Sequence, residues 1–455
     1  MFLNNIRQRL NNSLPKPPGP SQFEILNEFS RSNFLEFLSH GSSKLMRKYG
    51  DIIRLPNNQY LICNPNAFKH ILKTNVNNFS KINMTYNRLK LIFGDGLITN
   101  EGPVWEQHRA ILHPVFDRTK LEQYAPLMVN TTTEWMQKWQ QKLPRSIDIS
   151  KEMSELTLKI AFRAFSNYEP SAQELNTVSV LFKRGNPHVS HAPILTPWFP
   201  TPNNLLFFSA LRNLNKLLEK IINQRQTMKE YIDDVIGILL SAKQSNGKPL
   251  SEFEVLNEYK TLLITGYETT GCGLAWAHYL LATHPEYQGL METELKTVLN
   301  GRLPTIHDCI RLPVTKAIFL EALRLYPSIW CLPRVVLKPD TIGGYPIAEK
   351  SLLILNIYAL HRNPLYWESP EVFYPPRFLN DAENKRHLFS YLPFSIGPHS
   401  CIGSIFGIME GILLLATIGQ KFRFEILKKN KTYKAIPYAS LKLPENLKMR
   451  PIAIS

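Results

Sequence analysis

FSIGPHSCIG, Phe394 to Gly403, runs directly into SIFGIMEGILLLATIG, Ser404 to Gly419. The second stretch has the apolar density of a buried helix, and the cysteine stands at its start. A helix N-terminus offers free backbone N–H groups and the positive end of the peptide dipole, which together stabilise a thiolate and orient its sulfur as a ligand. Gly397 and Gly403 permit a tight turn and the close approach of a flat cofactor, and Phe394 is placed to cover the sulfur side. A buried cysteine by itself is usually an inert small hydrophobe. The spacing of Phe394, Gly397, Cys401 and Gly403 ahead of a long apolar helix turns the reading of Cys401 toward a ligand.

Upstream, EYKTLLITGYETTGCGLAWAHYLLATHPE (Glu258 to Glu286) is a long helical pattern with Gly266 and a polar cluster, Thr265, Glu268, Thr269 and Thr270, at its middle. Burying such groups is costly unless they are hydrogen-bonded or face a cavity, and a glycine with a bonding threonine suits a local kink. An acid beside a hydroxyl can relay protons to a bound species, which makes Glu268 and Thr269 the candidate catalytic pair. A solvated helix face is the bland alternative, disfavoured by the apolar residues on both sides. In EALRLYP, Glu321 and Arg324 lie at i, i+3 on one helix face, and Arg377 of PPRF can close a three-member network with them. In WEQHR, Trp105 and Arg109 lie at i, i+4, so an indole N–H and a guanidinium fork make a clamp for a carboxylate. The plain readings of these last two, a surface salt bridge and a packed Trp, hold when either is met alone.

The rest of the chain reads as one large domain, mainly α with small β-sheets (α+β). A tail with a Pro-rich segment covers 1–20 and a single domain covers 21–455, with β-rich parts near 51–64, 334–357 and 422–455 and helical parts over 65–330 and 401–420. Asn57-Asn58 and Gly343-Gly344 mark turns between strands, and Ser150 and Ser251 are candidate helix caps ahead of acidic first turns. The Pro- and aromatic-rich stretch from Pro187 to Asn204 is either a lid or a merely irregular connection. A formal net charge of +16 suits an anionic partner, but no basic run is interleaved with stacking aromatics, so nucleic acid is not expected. Five widely spaced cysteines without a CxxC pair imply a reduced, cytoplasmic chain, and no run of about 20 apolar residues provides a transmembrane anchor.

Together these four pieces, in this order and at these distances, resemble the cytochrome P-450 family over almost the whole chain, from about Lys44 to Arg450. The resemblance implies that heme b lies between a long kinked distal helix and the Cys-ligand loop with its following proximal helix. Cys401 is then the axial thiolate, and Phe394, Gly397, His399 and Gly403 complete the heme signature. Trp105, Arg109 and Arg334 bind propionates, Glu321, Arg324 and Arg377 form the core triad, and Thr269 and Glu268 stand beside bound oxygen. Two departures stand out. His399 replaces the commoner Arg, so a permanent charge becomes titratable. Thr265 replaces the usual Ala or Gly, adding a methyl and a hydroxyl beside the distal face and narrowing the pocket.

The implied activity is a monooxygenase that inserts one atom of O2 into an apolar substrate, with electrons ultimately from NAD(P)H. The chain carries no flavin, nucleotide or iron–sulfur motif, so a separate donor is required, and its excess of Lys and Arg suits an acidic ferredoxin or flavodoxin with its reductase. By the same resemblance the substrate pocket draws on Ile264, Thr265, Ile329, Trp330 and Leu332 and on the turn Ala439 to Leu441. These are largely apolar and suit a fatty acid, a terpenoid or another lipid-like molecule. Two rivals keep the heme: a peroxide-driven peroxygenase, isomerase or dehydratase, and a non-catalytic sensor or carrier. The intact Glu268-Thr269 pair argues against the first.

Overall fold

Asn57 and Asn58 both adopt φ of 56°, a conformation that asparagine tolerates in tight turns. They reverse the chain between the antiparallel strands Ile52–Leu55 and Gln59–Ile62. The computed structural model in which this turn is seen describes residues 15–29, 34–141, 145–190, 199–228, 231–379, 386–428, 433–444 and 447–454. Residues 1–14 of the expected tail lie outside them. The architecture is mainly helical with small sheets, as the sequence implies.

The chain divides into two compact units, each assembled from separate stretches. The first takes Met1–Tyr86, Ile329–Val372 and Asn384–Cys401 and holds a five-stranded sheet. Gln59–Ile62 pairs in parallel with Leu352–Asn356, which pairs antiparallel with Cys331–Val336, and Phe79–Ser80 closes the far edge. Ile53, Leu61, Ile62, Leu353 and Leu355 are fully buried, including consecutive residues of one strand, so protein covers both faces of the sheet centre. Phe68, Ile71, Leu360 and Leu392 pack with these strands in one core cluster. Each such side chain contributes roughly 1.5–3 kcal/mol by leaving water. Gly343 and Gly344, both at positive φ, turn the small hairpin between Asp340–Ile342 and Tyr345–Ile347.

The second unit takes Asn87–Ser328, Phe373–Glu383 and Ile402–Ser455. Its axis is the helix Glu252–Thr283, begun by a capping box in which the Ser251 hydroxyl and the Glu254 carboxylate satisfy each other's backbone N–H. The helix packs along Ile149–Ser166. The two backbones meet closely at Gly271, where an added Cβ would lie 2.9 Å from Ser154 Cα. Phe116, Tyr124, Phe165 and Phe406 form an aromatic cluster with mostly edge-to-face contacts, tying Ser404–Gly419 to this bundle. Strands Ile147–Asp148, Phe422–Ile426 and Lys448–Ala453 make a three-stranded sheet, and Ile436–Pro437 pairs with Leu441–Lys442 in a short hairpin.

Three local expectations change. Asp148, not Ser150, caps the helix Ile149–Ser166, because Ser150 already lies within the first turn while the Asp148 carboxylate accepts the Lys151 N–H. Short strands at Phe79–Ser80 and Ile147–Asp148 interrupt the helical span. The Pro187 to Asn204 stretch is partly helical: one helix runs to Ser190 and another starts at Pro202, capped by Thr201, and residues 191–198 lie outside the described residues. Among the described residues no helix is long and apolar enough to cross a membrane.

Candidate active site

The first unit ends in the cysteine loop. Gly397 has φ of +77°, and a Cβ there would lie 1.9 Å from the Leu72 carbonyl oxygen, so backbone contact as well as torsion reserves this position for glycine. The loop then folds back on itself: the Ser400 N–H donates to the Gly397 carbonyl and the Cys401 N–H to the Phe394 carbonyl at 2.9 Å. The turn leaves the Cys401 residue exposed, whereas Cys63 and Cys272 are buried and Cys309 and Cys331 are half-buried. Burial pushes the Cys272 and Cys331 thiols up to about 12, which makes them poor ligands at neutral pH. Phe394 and His399 are half-buried. In the strand Cys331–Val336, Arg334 is buried and donates to the Pro333 carbonyl and, at 3.4 Å, to the Tyr86 hydroxyl. Trp330 is 2% exposed, while Ile329 and Leu332 keep partial exposure and offer more surface to a substrate.

In the second unit, the central helix is buried at every position from Val255 to Leu281 except Thr265, Gly266 and Thr269. Thr265 and Thr269 lie at i and i+4 and so form one small, partly exposed patch on an otherwise covered helix, whereas a Cβ at Gly266 would lie 2.9 Å from the Phe165 ring. The helix runs through Gly266 without interruption. The Thr265 and Thr269 hydroxyls bond the carbonyls one turn back, those of Thr261 and Thr265 respectively. Ile264, beside the patch, is 1% exposed. Glu268 and Thr269 take different partners: the Glu268 carboxylate accepts from Ser440 Oγ at 3.0 Å and pairs with Lys442 Nζ at 2.7 Å.

Trp105 and Arg109 project from one face of the helix Gly102–Leu112, with the Arg109 guanidinium 5.5 Å from the Trp105 ring centre. Between them in sequence, buried His108 binds Glu258 of the central helix, Nδ1 to Oε1, at 2.7 Å, and its Nε2 lies 3.6 Å from Glu254. The other Glu258 oxygen accepts the Leu97 N–H at 3.1 Å, so one carboxylate joins this helix, the central helix and the preceding loop. The hydrogen bond that the His108 ring donates to the Glu258 carboxylate is the main reason that the His108 pKa is raised.

Glu321, Arg324 and Arg377 meet. Arg324 Nε and Nη2 donate to the two Glu321 oxygens at 2.7 and 2.8 Å, and Arg377 Nε and the Tyr374 N–H donate to Oε1 at 3.2 and 2.9 Å. Glu321 and Arg324 have no exposed surface.

Sequence reading did not single out three further residues. The first two are His108, read only as the spacer in WEQHR, and Lys442. The third is Glu410, fully buried on Ser404–Gly419, whose carboxyl burial pushes up to about 8 despite a hydrogen bond from Thr270. Its one available signal was a lone acid in an apolar helix.

The first unit thus carries an exposed thiol in a tight loop, and the second carries a partly exposed hydroxyl on a buried helix and an indole beside a guanidinium. Among the described residues no cluster of three or more His, Cys, Asp or Glu side chains could hold a metal ion. The profile of one family, Cytochrome P450, matches residues 17–449. The chain is 29% identical over 383 residues to cyclooctat-9-en-7-ol 5-monooxygenase of Streptomyces melanosporofaciens, covering 82% of this chain and 83% of that one. It is 29% identical over 424 residues to leukotriene-B4 omega-hydroxylase 3 of Mus musculus, covering 86% and 79%. The crystal structure of the cytochrome P450DA heme domain superposes with a TM-score of 0.84 at 25% identity, covering 97% of each chain.

Proposed function

This chain belongs to the cytochrome P450 family, and on that footing we propose that it is a monooxygenase acting on an apolar, lipid-like substrate of the fatty-acid or terpenoid class, served by an acidic ferredoxin or flavodoxin. The family's cofactor is heme b, and its members use O2 and electrons from NAD(P)H delivered by a partner. When bound, the heme supplies dioxygen activation and transfer of one oxygen atom to the substrate, aided by the electron density that a thiolate pushes onto iron.

Cys401 Sγ is the residue that would hold the heme iron, as its thiolate ligand. Phe394, Gly397, His399 and Gly403 shape the approach to it, and Trp105, Arg109 and Arg334 are the proposed donors to the heme carboxylates. Thr269 Oγ1 holds and passes a proton, with Glu268 as the neighbouring acid. Thr265 sits on the same open patch and narrows it, and Ile264, Ile329, Trp330 and Leu332 supply apolar surroundings that exclude water.

The observation that carries the reading is the cysteine loop itself, in which a positive φ at Gly397 and the Cys401 N–H bonded to the Phe394 carbonyl leave Cys401 exposed. The substrate class is supported by relatives named for a cyclooctatenol and for leukotriene B4, both largely hydrocarbon. A basic chain of net charge +16 favours an acidic electron donor. Five cysteines that form no disulfide with one another fit a reducing, cytoplasmic compartment.

The test is spectroscopic first. Reduced protein with carbon monoxide gives the red-shifted band of a thiolate-ligated heme, and Cys401→Ser loses it; a neutral-ligand spectrum in the wild type refutes the assignment. A screen of fatty acids and terpenoids for substrate-induced shifts of the heme spectrum, followed by product analysis with surrogate donors, then fixes the class. Absence of product from every apolar hit refutes the substrate proposal.

A further inference from the structure

The tip of the C-terminal hairpin, Tyr438 to Lys442, is fastened to the middle of the central helix. The Leu441 carbonyl accepts from Cys272 Sγ at 3.0 Å and from Trp276 Nε1 at 2.8 Å. The Leu441 N–H donates to the Ser328 carbonyl at 3.0 Å, and Ser328 Oγ donates to the Thr269 carbonyl at 2.7 Å. Two further contacts fall on a single oxygen, Glu268 Oε1, reached by Ser440 Oγ and Lys442 Nζ. The backbone of the alcohol and the side chain of the acid are thus both tied to one turn of chain, about 170 residues away in sequence.

Glu268 is 7% exposed, and a carboxylate so placed is costly unless a cation and hydrogen-bond donors accompany it. Lys442, whose side chain is 24% exposed, supplies the cation. Its ammonium also lies 5.9 Å from the centre of the Phe182 ring, on the helix Ala172–Ser190. The same hairpin turn is where resemblance to the family puts substrate contacts, at Ala439 to Leu441.

We propose that Lys442 is a positioning residue for the proton step: with Ser440, it holds the Glu268 carboxylate on the hairpin, so the placement of the acid beside Thr269 is set by the hairpin as well as by the helix. The inference rests on the monooxygenase reading above. It assigns the hairpin a second role, since a substrate seated against its tip bears on the residues that hold the acid.

The experiment uses the full-length heme-loaded chain with Lys442→Met, Lys442→Arg, Ser440→Ala, Glu268→Gln and the double variant Lys442→Met/Glu268→Gln. Two readouts are taken. In equilibrium unfolding, Lys442→Met shifts the equilibrium roughly fivefold more when Glu268 is present than in the Glu268→Gln background, as contacting charges do. In turnover with a surrogate donor, product formed per reducing equivalent falls about threefold or more in Lys442→Met, the rest appearing as peroxide, a small part of what a positioned proton donor contributes because Glu268 itself remains. Lys442→Arg restores it, Ser440→Ala shows a smaller fall, and in the two Lys442 variants the affinity read from the substrate-induced spectral shift stays at the wild-type value.

An additive unfolding cycle, or unchanged product yield per reducing equivalent in both Lys442→Met and Ser440→Ala, overturns the inference while leaving a competent wild type. A wild type without thiolate-ligated heme or without product overturns the monooxygenase reading itself, and this inference with it. If Lys442→Met does not fold, Ser440→Ala and Lys442→Arg decide: equal product yield in all three folded proteins overturns the proposal.

Discussion

Replacing Glu321 by Gln removes a buried negative charge that Arg324 and Arg377 both bind. Arg324 has no exposed surface and gives two donors to the Glu321 carboxylate; Arg377, 11% exposed, gives a third, and the Tyr374 N–H a fourth. Glutamine keeps a carbonyl acceptor but presents an amide N–H to at least one of these donors and leaves a buried guanidinium without its counter-ion. Breaking a buried ion pair from one side costs about 3–5 kcal/mol, mostly as the penalty of the stranded charge. Against a total stability of about 5–15 kcal/mol, that is a large fraction. Chemical unfolding of the heme-loaded protein, followed by far-UV circular dichroism, measures it. The companion double variant Glu321→Leu/Arg324→Met removes both charges, so its cost is expected to fall well short of the two single costs added together. A Glu321→Gln protein within about 1 kcal/mol of wild type, or strict additivity in the double variant, would refute the claim that charge burial makes this triad essential to the fold.

Two further outcomes follow from buried titratable groups. The Glu410 carboxyl titrates near 8 in the folded chain and near its ordinary value of 4.5 when unfolded, so the unfolded state releases its proton first. Stability therefore drops as pH rises from about 4.5 to about 8, and Glu410→Gln, which stays neutral, is expected to be roughly 1–3 kcal/mol more stable than wild type at pH 8 and about equal at pH 4.5; denaturant midpoints at the two pH values check it, and equal differences at both would refute it. His108 titrates the other way. Glu258 and Glu254 favour its protonated form, so its contribution is fully present below about 6.5 and is lost as pH rises through the raised folded value. His108→Gln should flatten the alkaline side of the melting-temperature profile, and parallel profiles for the two proteins would show that the pair contributes nothing.

What the sequence made legible was local. FSIGPHSCIG reads as a turn that presents a cysteine because a positive φ at Gly397 and a sulfur at a helix start are both properties of neighbouring residues. The capping box at Ser251, the turns at Asn57-Asn58 and Gly343-Gly344, and the shared face of Glu321 and Arg324 are of the same kind. What escaped depends on partners remote in sequence. His108 finds Glu258 150 residues on, and Glu268 finds Ser440 172 residues on. Periodicity marks both acids as helical and conceals that each is held by a specific partner. The cap at Asp148 was missed for a subtler reason: a short strand, Ile147–Asp148, draws the start of the helix back past Ser150, and that strand exists only because Lys448–Ala453 pairs with it.

The parallel pairing of Gln59–Ile62 with Leu352–Asn356 has a consequence for how the chain is made. At about 5–20 residues per second, a ribosome needs roughly 15–60 s to synthesise the stretch that separates these partners. For that interval the early hairpin carries a bare strand edge ending in Tyr60, Leu61 and Ile62, the sort of edge that recruits other nascent chains. Yield in a heterologous host should then respond to slower initiation and to chaperones that shield strand edges, more than to mutations that stabilise the finished protein.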